Sequence, residues 1–192
     1  AVLTDKADAI GGIFKTENRQ QQFDFIHSFL TTPTSVFFHQ QIHGVRGIED
    51  LHGFPIGVVG GDSAEELIRQ YHPKTLLMPY PGMEDLIKAA VLGEVKVFVA
   101  DSGVARFYLA KHDQQGVIRE TTQPVATNGY HAAVKKGNQV ALAAIQDGFN
   151  RITPKEIEDI VASWSGHSLL QRIPWQQVWL YFGIALACVM LV

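Results

Sequence analysis

Residues 54–111 alternate short apolar runs with segments of helical spacing, and this alternation constrains the fold more than any other feature of the chain. The runs FPIGVVGG, TLLMPY and VKVFVA are followed in turn by the amphipathic segments SAEELIRQY, MEDLIKAAVLG and DSGVARFYLAKH. Gly93 stands where the second helical segment should stop. Strands and helices joined by short links predict parallel strands with right-handed crossovers, which is an α/β architecture.

The segments on either side of this block predict two further groups of elements. Before it, ADAIGGIF and TSVFFHQ are typical of strands. After it, VIRETTQPVATNGYHAAVKKG predicts two extended pieces around a proline turn, and NQVALAAIQDGFNRI and TPKEIEDIVASWSG predict amphipathic helices. The last helix should open with a capping box formed by Thr153 and Glu156, with Pro154 in the first turn.

The first 50 or so residues offer too little apolar surface to bury a core alone, so we expect them to pair with segments late in the chain. This predicts a discontinuous first lobe over residues 1–53 and 128–168. A second lobe is predicted over residues 54–127, with a cleft between the two.

The last 20 residues, 173–192, carry no charge and are apolar throughout from Val178 onward. An α-helix over that apolar stretch would reach about 22 Å, against about 30 Å for the hydrocarbon core of a bilayer. Trp175, Trp179 and Tyr181 stand where aromatic rings favour the membrane interface. We therefore expect the start of a transmembrane helix; a buried C-terminal helix is the alternative, although it would normally show a polar face.

Composition and motifs exclude several classes of function. A formal net charge of −3 without a basic stripe argues against nucleic-acid binding. The single cysteine, Cys188, excludes an intramolecular disulfide, and His39 and His43 lack a third metal ligand nearby. VVGGDSAEE lacks the lysine of a phosphate-binding loop, and no nucleophile motif is present. We expect no catalytic residue, no metal and no cofactor.

Five stretches, taken in order, carry a resemblance to a known family: ADAIGGIFKTENRQQQFDF, GIEDLHGFPIGVVGGDSAEELI, GEVKVFVADSGVARFYLAK, GYHAAVKKGN and ITPKEIEDIVASWSG. Their order resembles that of bacterial periplasmic solute-binding proteins of the polar amino-acid type, in the form used as sensor domains. The resemblance covers residues 1 to about 166 and implies a two-lobed periplasmic-binding-protein type II fold. The family normally has a strand-helix-strand-helix segment before the counterpart of ADAI, so the first lobe is expected to be incomplete.

In amino-acid binders of this family three side chains hold the backbone groups of the ligand, and the matching positions are Arg19, Ser63 and Asp101. The guanidinium of Arg19 could meet a carboxylate bidentately, although an arginine on a polar loop can also be merely solvated. Asp101 follows a predicted parallel strand, where open α/β sheets place ligands, and could accept from an ammonium group. It could equally cap the helix that follows.

Ser63 should be the N-cap of its helix, with Glu66 closing a capping box. The backbone N–H groups of Gly61, Asp62 and Ser63 would then point outward and attract an anion, although the charge of Asp62 would weaken such a site.

Gly12 and Phe14 stand where amino-acid binders tend to have hydroxyl residues. Phe14 could form an apolar wall of the pocket or belong to the core.

The resemblance and the apolar C-terminus imply a periplasmic ligand-sensing domain anchored in the bacterial inner membrane. Such a domain would belong to a homodimeric receptor with a histidine kinase or diguanylate cyclase output, and its ligand would be an amino acid or a similar small carboxylate. Two alternatives stay open. One is a dehydratase-like enzyme on the same fold, and the other is an interaction module that has lost ligand binding.

Overall fold

A computed structural model of the chain describes residues 1–164, which form one mixed sheet of eight strands with α-helices around it. The strands are β1 (Ala9–Phe14), β2 (Phe23–Phe25), β3 (Leu30–His39), β4 (Ile56–Val59), β5 (Leu77–Tyr80), β6 (Val97–Asp101), β7 (Ile118–Glu120) and β8 (Ala126–Lys135). The helices are α1 (Glu17–Gln20), α2 (Ser63–Tyr71), α3 (Met83–Val91), α4 (Ser102–Lys111), α5 (Gln139–Asn150) and α6 (Pro154–Trp164). The strand order is β1-β8-β3-β6-β4-β5, with β2 also paired to β8 and β7 to β3.

The predicted alternation of strands and helices over residues 54–111 is confirmed. Strands β4, β5 and β6 are parallel neighbours, and α2, α3 and α4 follow them in order. All five residues of β6 are buried. Val97 and Val99 pack into one apolar cluster while Phe98 belongs to the other, because successive side chains of a strand point to opposite faces. The parallel part of the sheet is therefore covered on both faces.

Two glycines make this packing possible. A Cβ atom on Gly57 would lie 2.6 Å from Cδ1 of Leu86, so a side chain there would force Leu86 or its neighbours to shift. Gly93 has φ +76°, a conformation that favours glycine, and it ends α3 as the sequence predicted.

The two ten-residue strands, β3 and β8, join the parallel part of the sheet to the antiparallel part formed by β1, β2 and β8. The first half of β3 pairs antiparallel with β8, and its second half pairs antiparallel with β6, where Thr34 lies opposite Asp101 and Phe38 opposite Val97. The strand TSVFFHQ therefore forms as predicted. The sequence predicted it as part of the first lobe, whereas in the structure most of it lies next to β6, at the edge of the parallel strands. The apolar residues of β3 are buried on both faces of the sheet, as are those of its neighbour β6.

The antiparallel part buries much less. Its own apolar cluster contains Val2, Phe23 and Ala133, and α5 has no buried residue. The capping box of α6 is present: Oε2 of Glu156 accepts from the backbone N–H and the hydroxyl of Thr153, at 2.8 Å each.

None of the helices within residues 1–164 is long and apolar enough to cross a membrane. The transmembrane helix predicted over residues 173–192 lies outside the described residues.

Candidate ligand-binding cleft

A cleft of about 250 Å³ lies at the carboxyl ends of β4 and β6, facing the end of β1. Open α/β sheets place their ligands at this edge. The cleft is lined by Gly12, Ile13, Phe14, Arg19, Val59, Asp62, Met83, Asp101, Val104 and Tyr130. The fold thus brings together five of the seven residues singled out in the sequence. The other two, Gly61 and Ser63, flank Asp62 in the chain.

Arg19 lies in α1, a single turn that Thr16 caps by accepting from the Arg19 backbone N–H. One terminal nitrogen of its guanidinium donates to the carbonyl oxygen of Phe14 at 3.1 Å, and the other donates to that of Gly61 at 3.1 Å. The side chain is therefore half-buried and spans the cleft from the end of β1 to the end of β4, rather than being solvated on a loop. A guanidinium has five N–H donors, so donors remain for a carboxylate in the cleft.

The start of α2 differs from the prediction that Ser63 is its N-cap. The N-cap is Asp62, whose Oδ1 accepts from the Ser63 backbone N–H at 2.7 Å, and Ser63 is the first helical residue. The prediction was wrong because the helix begins one residue earlier, where the charged carboxylate of Asp62 accepts from the first N–H of the helix.

The backbone N–H groups expected to bind an anion at this helix start are paired within the chain. The Gly61 N–H donates to Oε2 of Glu65 at 2.7 Å, and the Asp62 N–H donates to the carbonyl of Val59 at 3.2 Å. Glu65 and Asp62 thus place two carboxylates where the sequence predicted a site for a ligand carboxylate. The hydrogen bond from Gly61 is the main reason that the pKa of Glu65 is lowered, with the contact to Arg69 second.

Asp101 combines the two roles that the sequence left open. Its Oδ1 accepts from the backbone N–H of Val104 at 2.9 Å and so caps α4. Its Oδ2 is buried without a hydrogen-bond partner among the described residues, and the whole residue is only 5% exposed. Burial raises the pKa of this carboxyl, and the neighbouring charge of Asp62 raises it further, against the opposing effects of Val104 and of the nearby Thr32 hydroxyl. A buried acceptor that the chain does not satisfy is suited to a cationic or hydrogen-bond-donating ligand.

Tyr130 in β8 is the main feature of the cleft that sequence reasoning did not single out. Its ring packs against Phe14, with the ring centroids 4.4 Å apart. Burial, followed by the charges of Asp101 and Asp62, raises the pKa of Tyr130, so its hydroxyl stays protonated and can donate. Little in the sequence indicated that Tyr130 lines the cleft, because an aromatic residue in a strand usually belongs to the core. Phe14, 5% exposed, is both core and cleft wall.

The cleft carries one guanidinium against two carboxylates, so its charge favours a ligand with an ammonium group. No group of three or more potential metal ligands exists among residues 1–164.

Comparison with known proteins identifies the family. The model for bacterial extracellular solute-binding proteins, family 3, matches residues 1–167. The chain belongs to this family. Its members are described as extracellular solute-binding proteins, so an extracytoplasmic location goes with the family.

Similar proteins and structures include an amino-acid-binding protein and sensor domains. The chain is 28% identical over 153 residues to the amino-acid-binding protein AabA of Dichelobacter nodosus, covering 77% of this chain and 59% of that protein. A histidine kinase sensor domain similar to periplasmic binding proteins superposes with a TM-score of 0.77 at 19% identity, covering 85% of this chain and 72% of that one. The periplasmic VFT2 domain of BvgS from Bordetella pertussis gives 0.72 at 16% identity, covering 85% and 69%. These structures show a shared periplasmic-binding-protein fold, and the chain spans a little under three fifths of AabA.

Proposed function

We propose that this family 3 domain binds an α-amino acid, or a similar small carboxylate, and acts as the periplasmic sensor of a membrane-anchored receptor. Arg19 would hold the carboxylate and Asp101 the ammonium group, with Ser63, Gly61 and Asp62 at the edge of the site. Gly12 and Phe14 would supply its floor and wall.

The observation that carries the proposal is the pairing of opposite charges across one cleft. The Arg19 guanidinium is oriented by two backbone carbonyls and keeps unused donors, and the Asp101 carboxylate is buried with one oxygen unsatisfied. An α-amino acid carries both complementary charges on one carbon. The similarity to AabA supports the same ligand class.

The receptor role rests on the sensor domains that share the fold and on the apolar residues 173–192. We infer two lobes, one over residues 1–53 with 128–168 and the other over residues 54–127, and a homodimeric receptor with a histidine kinase or diguanylate cyclase output. Ligand would favour the closed cleft by its differential affinity for the closed and open states.

Inserting a flexible Gly-Ser stretch between Gly166 and Pro174 should leave ligand affinity unchanged while output stops following ligand. Output that still follows ligand would contradict this route of transmission.

Exchange of Arg19 for lysine tests the binding claim, because Arg19→Lys keeps the positive charge and loses the planar fork. A hydrogen bond to a charged group is worth about 1.5–3 kcal/mol, so we expect roughly 10- to 150-fold weaker amino-acid binding by calorimetry. Arg151→Lys is the matched control, since Arg151 pairs with Asp147 on the surface and does not line the cleft. Equal affinity in Arg19→Lys and the wild type would contradict the assignment of Arg19.

A second candidate, an interaction module that has lost ligand binding, is favoured by one observation. The N–H groups at the start of α2 and two donors of Arg19 are already satisfied within the chain. A thermal-shift screen against the standard amino acids separates the two candidates: a binding domain is stabilised by at least one of them, and an interaction module by none.

A further inference from the structure

A second, larger cavity of about 550 Å³ adjoins the cleft on the side of α6. The two cavities share Asp101, Val104 and Tyr130 as lining residues, so they meet at the buried carboxylate. The remaining walls come from three elements: the first half of β3, the first turns of α4, and Ile160 with Val161 of α6.

The walls of this cavity are mainly apolar, including Leu30, Pro33, Val104, Phe107 and Ile160. Two of its polar side chains, those of Arg106 and Ser102, have hydrogen-bond partners within the chain. Arg106 donates from Nε to the Glu120 carboxylate at 2.6 Å.

The hydroxyl of Ser102 is likewise satisfied, because it donates to the hydroxyl of Ser35 at 2.9 Å. Among residues 1–164, Oδ2 of Asp101 is the buried oxygen at the junction of the two cavities that has no hydrogen-bond partner. The cavity therefore offers apolar surface next to one carboxylate, and no unpaired cation among the described residues that line it.

The sizes of the two cavities suggest which part of a ligand each of them holds. Sites for small molecules usually enclose about 300–1,000 Å³, so the cleft beside Arg19, at about 250 Å³, can take little more than the carboxylate and ammonium groups of an amino acid. The neighbouring cavity, at about 550 Å³, has room for a large side chain.

We propose that this second cavity is the side-chain subsite, and that the ligand is an α-amino acid with an apolar aliphatic or aromatic side chain. The inference rests on the proposed function and adds the class of amino acid. With the ammonium group at Asp101, the side chain leaves the cleft past Val104 and packs against Phe107 and Ile160. An acidic side chain is disfavoured there because it would meet the charge of Asp101 and find no free cation. The ligand would then contact α6, the last helix that the structure describes.

Calorimetric titration of the full chain with leucine, alanine and aspartate tests this assignment. Leucine has three more carbon atoms than alanine, and at about 0.8 kcal/mol for each buried CH₂ we expect leucine to bind at least about tenfold more tightly. Aspartate should bind more weakly than alanine.

Ile160→Trp fills the cavity from α6 and should reduce leucine affinity at least about tenfold, lowering the ratio of leucine to alanine affinity. Val140→Trp is the matched control, because Val140 is 84% exposed on α5 and lines neither cavity.

The possible outcomes separate this inference from the proposed function. Binding of alanine and leucine with equal affinity, or a leucine preference that Ile160→Trp leaves unchanged, overturns the subsite and leaves amino-acid binding standing. A large loss of thermal stability in Ile160→Trp with unchanged leucine binding means that protein rather than ligand fills the cavity, and also overturns it. Absence of binding by all three amino acids counts against the proposed function itself.

Discussion

Asp101 stabilises the fold through one carboxylate oxygen and destabilises it through the other. Oδ1 caps α4, whereas Oδ2 is buried and has no hydrogen-bond partner within residues 1–164. Since burial raises its pKa, ionised Asp101 costs folding free energy above the folded-state pKa. The cost disappears as the pH falls below the value of an unfolded aspartate, about 3.9. Such a group is retained at a cost to stability, which is the pattern of a binding residue.

Exchange of Asp101 for asparagine should therefore separate stability from binding. Asparagine is also a good N-cap, so Asp101→Asn keeps the bond to Val104 and removes the buried charge. We expect the free energy of unfolding at neutral pH to rise, on the order of 1 kcal/mol, and the gain to vanish at acidic pH. Amino-acid binding should weaken at least about tenfold. Denaturant titrations at several pH values and calorimetry measure the two effects.

Asp24→Asn is the control, because its expected effect on stability at neutral pH is opposite to that of Asp101→Asn. Hydrogen bonds from the Gly137 backbone N–H and from Lys136 lower the pKa of Asp24, on the exposed side of the antiparallel part. The stabilisation from Asp24 is present at neutral pH and is lost as the pH falls, so this variant should be less stable at neutral pH and bind ligand normally. If Asp101→Asn also loses stability at neutral pH, Oδ2 is satisfied in solution.

At the scale of elements, the start of α2 shows why part of the site could not be read from the sequence. The sequence predicted the helix itself and the position of Ser63 within one residue, because the polar SAEE segment follows an apolar strand. It did not reveal which acceptor would take each N–H. That choice depends on the rotamers of Asp62 and Glu65, whose carboxylates accept from the N–H groups of Ser63 and Gly61, respectively, at 2.7 Å each.

Removal of the Glu65 carboxylate should strengthen amino-acid binding. Glu65→Ala frees the Gly61 N–H and removes a negative charge from the helix start, an effect worth about 0.3–1 kcal/mol, or roughly two- to fivefold in affinity. Glu66→Ala removes the same charge from the same turn and leaves the Gly61 N–H bonded to Glu65. Calorimetry should show a larger gain for Glu65→Ala. Equal gains in both variants mean that only net charge matters, and an unchanged affinity in Glu65→Ala means that the ligand makes no use of this helix start.

At the scale of the whole molecule, the sequence predicted the parallel part of the sheet better than the antiparallel part. Strands β4 and β6 read as continuous apolar runs because helices cover both of their faces. The division of β3 between β8 and β6 escaped prediction, because its partners lie about 60 to 100 residues away and no local pattern distinguishes them. The cleft residues Arg19 and Asp101 were found through the family resemblance, whereas Tyr130 has no motif of its own.

Local stability should follow the unequal burial of the two parts of the sheet. Hydrogen exchange is expected to be slowest in β6, where all five residues are buried, and in α3, where four of nine are buried, and faster in β1 and α5. Pulse-labelling by hydrogen exchange and mass spectrometry measures this on the free protein. Uniform protection across β1, α5 and β6 would mean that the antiparallel part is stabilised by contacts beyond those in residues 1–164.

The central claim is that one cleft holds the carboxylate and the ammonium group of the same ligand. The most direct measurement is calorimetry with the tightest-binding standard amino acid, its analogue without the amino group and its analogue without the carboxyl group. Each analogue leaves Asp101 or Arg19 unpaired, and with about 1.5–3 kcal/mol lost per charged hydrogen bond, each should bind at least about tenfold more weakly. Binding of either analogue as tightly as the amino acid, or binding of no amino acid at all, would contradict the account.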